Sequence, residues 1–277
     1  MPELIRLEHA SIGYGPRRRA LPVLKDITLS IAADERIGMI GETGSGKSTL
    51  ARTLLGLTTI LDGTVEIAGT DIAALRGRSL RAFRRGGAIQ YVHQDPLRSL
   101  NPGMRVSDSI AEGLVIRGGL SRDEVARHVE DVLTVVGLDP LLSDRLPSEL
   151  SGGQRQRIVL ARSLVLHPRL LILDEPVSAL DAASRVQVLD LLRLLADEQD
   201  LAQLFISHDL GSVAGTTDRL IVLYRGRIVE DGPTAEVLAD PRHPYTRLLI
   251  ESAPSLTSTG ADRDRRRQLR EAVEVIQ

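Results

Sequence analysis

The sequence predicts an α/β fold on a mostly parallel sheet, and three observations carry that expectation. Strand-sized apolar runs alternate with helical patterns along most of the chain. A glycine-rich loop, Gly41 to Ser48, lies between one such strand and a helix. A stretch of helical patterns broken by Gly and Pro, residues 95–150, interrupts the alternation as an insertion.

In chain order, Ile5 to Tyr14 and Val23 to Ala32 read as short strands separated by turn residues. Arg36 to Ile40 is a short apolar strand that runs into the glycine loop. The next helix is expected from Lys47 to Leu57, because Leu50, Leu54 and Leu57 recur at helical spacing. Thr64 to Ala68 alternates as another strand. Inside the insertion, Val106 to Ile116 and Arg122 to Val136 read as helices. The second is entered through Ser121 as N-cap with Glu124 three residues on. Gly152 to Asp174 reads as helix then strand, and the order repeats with a helix from Ala183 to Glu198 and a strand from Gln203 to Ser207. Leu220 to Tyr224 and Arg227 to Glu230 flank Arg225-Gly226, a two-residue hairpin turn. The polar, Arg-rich segment 255–277 is expected to be an extension beyond a domain of residues 1–254.

Composition narrows the function classes. Of 277 residues, 42% are hydrophobic and 26% charged, ordinary for a soluble globular protein. A formal net charge of −2 leaves no electrostatic footprint for nucleic acid. Cysteine is absent, which excludes disulfides and thiolate-ligated metal sites. The longest apolar runs, such as Leu170 to Leu173, are far shorter than a membrane span. Met1 to Ala10 has no apolar stretch of the signal-peptide kind. These bounds predict a soluble cytosolic protein that could serve a membrane only by docking onto another chain. With 2% aromatics, the core is expected to be aliphatic. Lysine occurs only at positions 25 and 47 while arginine carries the remaining positive charge, which makes Lys47 stand out.

Gly41-Glu42-Thr43-Gly44-Ser45-Gly46-Lys47-Ser48, followed by Thr49, fits G-x-x-x-x-G-K-[ST]. The glycines let backbone N–H groups turn toward phosphate, and the helix behind adds its positive end. Lys47 would reach the β- and γ-phosphates, and Ser48 would ligate Mg²⁺. The plain alternative is a glycine turn before a helix, and the strand–loop–helix context weighs against it. Leu170 to Asp174 is an apolar strand that ends in two carboxylates. Asp174 is placed to hold Mg²⁺, and Glu175 to polarise an attacking water. Ser151-Gly152-Gly153-Gln154 supplies a second glycine nest at a helix start.

With Leu150-Ser-Gly-Gly-Gln154 in this position, the sequence resembles the ABC ATPases, whose signature is this pentapeptide. The resemblance implies a P-loop NTPase core with an antiparallel β part and an inserted α-helical subdomain, and ATP with Mg²⁺ as ligands. It implies that Tyr14 stacks on adenine, that Gln94 touches Mg²⁺ and takes part in catalysis, and that His208 contacts the γ-phosphate. Asp181, in Ser178-Ala-Leu-Asp181, would lie in the loop that crosses to a partner subunit. In this family the signature of one subunit faces the phosphate loop of another, so a second cassette is an implied partner.

Three stretches are similar to the oligopeptide/dipeptide/nickel importer ATPases: Gln94 to Pro102, Glu175-Pro-Val-Ser-Ala-Leu-Asp181, and Pro241-Arg-His243-Pro244-Tyr245-Thr246-Arg-Leu-Leu249. The last also reads simply as a proline-ended turn before a short helix. The C-terminal cysteine cluster of many such proteins is missing here. This resemblance implies transmembrane permease subunits as partners, a substrate-binding protein as an indirect one, and a place on the cytoplasmic face of the cell membrane. The helical insertion and the Gln94 loop would form the docking face, an apolar groove with a polar rim. A soluble ABC ATPase, such as an accessory of a phosphonate-degrading complex, is the alternative that the sequence leaves open.

Overall fold

A computed structural model of the chain describes residues 3–16, 19–93, 99–199 and 201–252. Strands β1 (Glu3–Tyr14) and β2 (Leu21–Ala32) come first, followed by β3 (Arg36–Ile40), helix α1 (Lys47–Leu54), β4 (Thr59–Ile67) and β5 (Thr70–Asp71). Helix α2 (Gly77–Gly86) leads to β6 (Ile89–Val92). Helices α3 (Val106–Arg117) and α4 (Arg122–Val135) and two 3₁₀ turns precede α5 (Gly152–Leu164) and β7 (Leu170–Asp174). Then come α6 (Ala182–Gln199), β8 (Ala202–Ile206), α7 (Leu210–Thr216), β9 (Arg219–Tyr224), β10 (Arg227–Pro233), α8 (Thr234–Ala239) and α9 (Pro244–Ser252).

The strands form two sheets. One is antiparallel, in the order β2-β1-β4-β5; the other runs β10-β9-β3-β8-β7-β6. In the second, β3, β6, β7, β8 and β9 are mutually parallel and only β10 is reversed, against β9. The turn between β9 and β10 is the expected Arg225-Gly226 pair, with φ of 47° and 81°. Two successive positive φ values match the twist of the strands that they join.

A parallel sheet covered on both faces explains the unbroken apolar runs. Leu171, Leu173, Phe205, Leu220 and Val222 enter one core together with α3, α4, α5 and α6. Leu170, Ile172, Leu204, Ile206 and Ile221 point the other way, into a core shared with the antiparallel sheet and with Leu50, Ala51 and Leu54 of α1. Both cores are mainly aliphatic, as the composition requires. Arg219 ties the sheets together, with Nη1 donating to Ser30 O and Glu35 Oε1 at 3.0 Å and Nε to Asp231 Oδ1 at 2.6 Å.

Two local outcomes differ from expectation. Helix α1 stops at Leu54 instead of reaching Leu57. Gly56 takes φ 66°, its N–H bonds Thr53 O, and Leu57 N–H bonds Arg52 O, the paired closure that a left-handed glycine gives a helix end. The first two strands span 12 residues each instead of being short, because they pair along their length.

Candidate active site

Adjacent strands β3, β8 and β7 deliver the site from their carboxyl ends, where ligands of open α/β sheets bind. Gly41 follows β3, Ser207 and His208 follow β8, and Asp174 closes β7 with Glu175 next. Chain segments far apart in sequence converge because their strands are neighbours.

The phosphate loop is shaped by close approaches. A Cβ on Gly41 would lie 2.2 Å from Leu223 O, and one on Gly46 would lie 2.4 Å from Leu24 Cδ2. Gly46, at φ 112°, is also the N-cap of α1. The loop is held from beneath: Gly226 N–H donates to Ser45 O at 2.9 Å, and Glu42 N–H donates to the Tyr245 hydroxyl at 2.6 Å. Glu42, Thr43, Gly44 and Ser48 are exposed, whereas Ser45, Gly46 and Thr49 are buried. Lys47 curls back so that Nζ donates to Gly41 O at 2.6 Å and Glu42 O at 2.8 Å. Burial holds its pKa below the usual lysine value, opposed by the charges of Glu175, Asp174 and Glu42. An incoming phosphate would offer this half-desolvated ammonium a stronger, charged acceptor.

The carboxylates occupy different environments. Asp174 accepts from the Tyr91 hydroxyl, whose pKa is raised by burial first and then by this bond. Glu175 adopts φ 52°, a left-handed conformation that a non-glycine residue holds at a cost of about 1 kcal/mol or more. Its N–H donates to Ile206 O at 2.9 Å. Its Oε1 accepts from His208 N–H at 2.9 Å and lies 2.6 Å from His208 Nδ1. Ser207 Oγ donates to Oε2 at 3.3 Å. The strained backbone thus aims a carboxylate that three groups fix in place.

For Mg²⁺, the donor chemistry fits: Ser48 offers a hydroxyl and Asp174 a carboxylate, both hard oxygen donors. No cluster of three or more His, Cys, Asp or Glu suited to a metal occurs among the described residues.

The signature residues sit elsewhere. Ser151 caps α5: Gln154 N–H donates to its Oγ at 3.2 Å, and Ser151 N–H donates back to Gln154 Oε1 at 2.9 Å. A Cβ on Gly153 would come 3.0 Å from Ser184 Oγ, while one on Gly152 would meet nothing within 4 Å. Asp181 accepts from Ser184 N–H at 3.0 Å and Ser184 Oγ at 2.7 Å, which holds its carboxyl below the usual range.

The structure therefore gathers the Lys47 loop, Asp174, Glu175 and His208. Tyr14 stands beside them, 42% exposed, its hydroxyl donating to Thr49 Oγ1 at 3.3 Å. The side-chain bonds of Ser151 and Gln154 join them to each other, and those of Asp181 run to Ser184, not to the phosphate loop. Gln94 lies outside those residues. Sequence reasoning did not assign Tyr91, Ser207 or Tyr245 to the site. Tyr245 was visible only as part of the His-Pro-Tyr-Thr stretch.

Strand order, loop and carboxylate pair place the molecule among the P-loop ATPases. Residues 24–178 match the family described as ABC transporter, and the chain belongs to it. Residues 229–275 match a family described as the C-terminal region of oligopeptide/dipeptide transporters. A Brucella melitensis protein named for peptide import and ATP binding is 42% identical over 246 residues, which are 88% of this chain and 65% of that one. A similarly named Brucella abortus protein is also 42% identical, over 88% of this chain and 73% of its own length. Among solved structures, the dimeric post-hydrolysis state of the cassette MJ0796 with ADP and Pi aligns at TM-score 0.72 and 26% identity, over 83% of this chain and 99% of that one. Clostridium perfringens cbiO1, part of the transporter complex cbiONQ, aligns at TM-score 0.77 and 28% identity, over 87% and 92%.

Proposed function

We propose that this chain hydrolyses ATP and so drives the import of peptides or related small solutes through membrane-spanning partners. The observation that carries the catalytic half is Glu175, aimed by a left-handed backbone and held by His208 and Ser207 at the end of β7. The C-terminal match at 229–275 and the relatives named for peptide import support the transport half, and they favour it over an accessory role in phosphonate breakdown.

In this reading the loop N–H groups and Lys47 bind the phosphates, and Tyr14 lies under the base. Glu175 orients the attacking water and takes its proton, while His208 keeps Glu175 in place and faces the terminal phosphate. Mg²⁺, held by Ser48, Asp174 and Gln94, would neutralise phosphate charge. Gly152 and its neighbours in α5 bind the ATP carried by a second cassette, with Asp181 in the crossing loop. Among the described residues, none comes within 4 Å of a Cβ placed on Gly152.

No described helix is long and apolar enough to cross a membrane, and in this reading a surface of the cassette makes the permease contact. A groove of about 450 Å³ fits that task. Leu55, Ile116, Val159 and Leu166 line it, with the Glu112–Arg162 ion pair, 2.6 Å long, at the same site. Docking there would hold the chain on the cytoplasmic face of the membrane, with a substrate-binding protein reached only through the permease and no nucleic acid involved.

Glu175→Gln tests the catalytic reading. It keeps the side-chain shape and loses the base, so turnover should fall about 100-fold or more while ATP binding persists. Turnover at the parental rate would remove Glu175 from the mechanism.

A further inference from the structure

The His243–Thr246 stretch does more than start a helix. Pro244 opens α9, and the next residue, Tyr245, is 3% exposed, with its hydroxyl against the phosphate loop. There it accepts the Glu42 N–H at 2.6 Å, a contact across 203 positions of sequence. The ring cannot swing away easily. It stacks on Tyr224 of β9 at 4.1 Å between centroids and 27° between planes. Tyr245 N–H donates to His243 Nδ1 at 3.1 Å. One residue further back, the Arg242 and His243 N–H groups donate to Glu230 of β10 at 2.7 and 3.1 Å. Burial lowers the His243 pKa, which favours the neutral ring that an accepting Nδ1 requires.

Resting on the loop being the ATP site, we propose that Tyr245 is a positioning residue for that loop, so that the C-terminal segment is a working part of the nucleotide site. The hydroxyl fixes Glu42, Gly226 fixes Ser45, and between them stand Thr43 and Gly44, the exposed part that wraps the phosphates. With the hydroxyl gone, Glu42 N–H turns to water and the loop samples other shapes, of which only a fraction bind ATP. Such a loss weakens ground state and transition state alike, so it raises KM and leaves kcat nearly unchanged.

The test is Tyr245→Phe in the full chain, which keeps the ring and its stack. Titration with Mg²⁺ and ATP should give a Kd about three- to tenfold weaker, the scale of one lost hydrogen bond. KM for ATP should rise by the same factor, with kcat within about twofold. A parental Kd would overturn the proposal, and so would a fall in melting temperature without a change in Kd. Tyr224→Leu offers a second route: it removes the ring that steadies Tyr245 and should also weaken ATP binding, and an unchanged Kd there counts against the proposal. Lys47→Ala in the same titration separates the two readings. If it binds ATP like the parent, the loop is not the ATP site; if it loses binding while Tyr245→Phe does not, only the role of Tyr245 fails.

Discussion

Gly152 is an open position on its own chain. It does not carry a positive φ, and an added Cβ would meet nothing within 4 Å. Gly41 and Gly46 differ, because backbone and packing around them exclude a side chain. Gly152→Ala should therefore keep or slightly raise the melting temperature, as alanine does where the conformation suits it. If a partner's ATP approaches this residue, turnover of the assembled cassettes should nevertheless drop about tenfold or more, since a small displacement near reacting groups is costly. Unchanged turnover would show that nothing comes close to Gly152. At this scale the residues that the structure gathers into the candidate site, Lys47, Asp174 and Glu175, were legible, because they sit in motifs with local spacing. Their partners were not: Tyr91 reaches Asp174 across 83 positions.

Helix boundaries were legible where an apolar stripe or a cap marks them. Ser121 and Glu124 form the expected reciprocal cap of α4. Helix α2 went unread because arginines dominate its sequence and its apolar face is only Leu80 and Phe83, both half-buried. Its contribution is a side chain: Arg84 donates to Leu55 O at 3.2 Å and also to Gly56 O, beyond the end of α1. Strand β6, four residues long, is too short for a periodic signal. Helix α7 begins on Asp209, whose Oδ2 accepts from Ser212 Oγ at 2.6 Å and whose Oδ1 accepts from Gly211 N–H at 3.1 Å. The Ser212 bond is the main cause of its lowered pKa. A carboxyl depressed on folding stabilises the fold above its unfolded pKa, about 3.9, and that contribution is lost as pH falls through the folded value. Asp209→Asn should therefore flatten the acid-side fall of melting temperature below about pH 4. An identical slope in parent and variant would mean that the charge adds nothing there.

Across the whole molecule, the sequence alternation carried the parallel sheet and the motifs marked one of its ends, while the partition into two cores depends on strand order, which local patterns do not encode. The contacts around the phosphate loop belong to the same class of non-local information: the β9–β10 turn and α9 come late in the chain, yet Gly226 and Tyr245 hold the loop that follows β3. Because groups of the chain itself tie it down, that loop has a kinetic consequence. Association should be limited by encounter alone, with an observed rate that climbs linearly with nucleotide concentration. Rapid-mixing fluorescence reads this directly. Gly226→Val changes the regime, because φ is 81° and the new Cβ would fall 2.0 Å from Val23 O. With the hairpin tip displaced, the loop has to order after contact, and the observed rate should level off at high nucleotide concentration instead of continuing to rise.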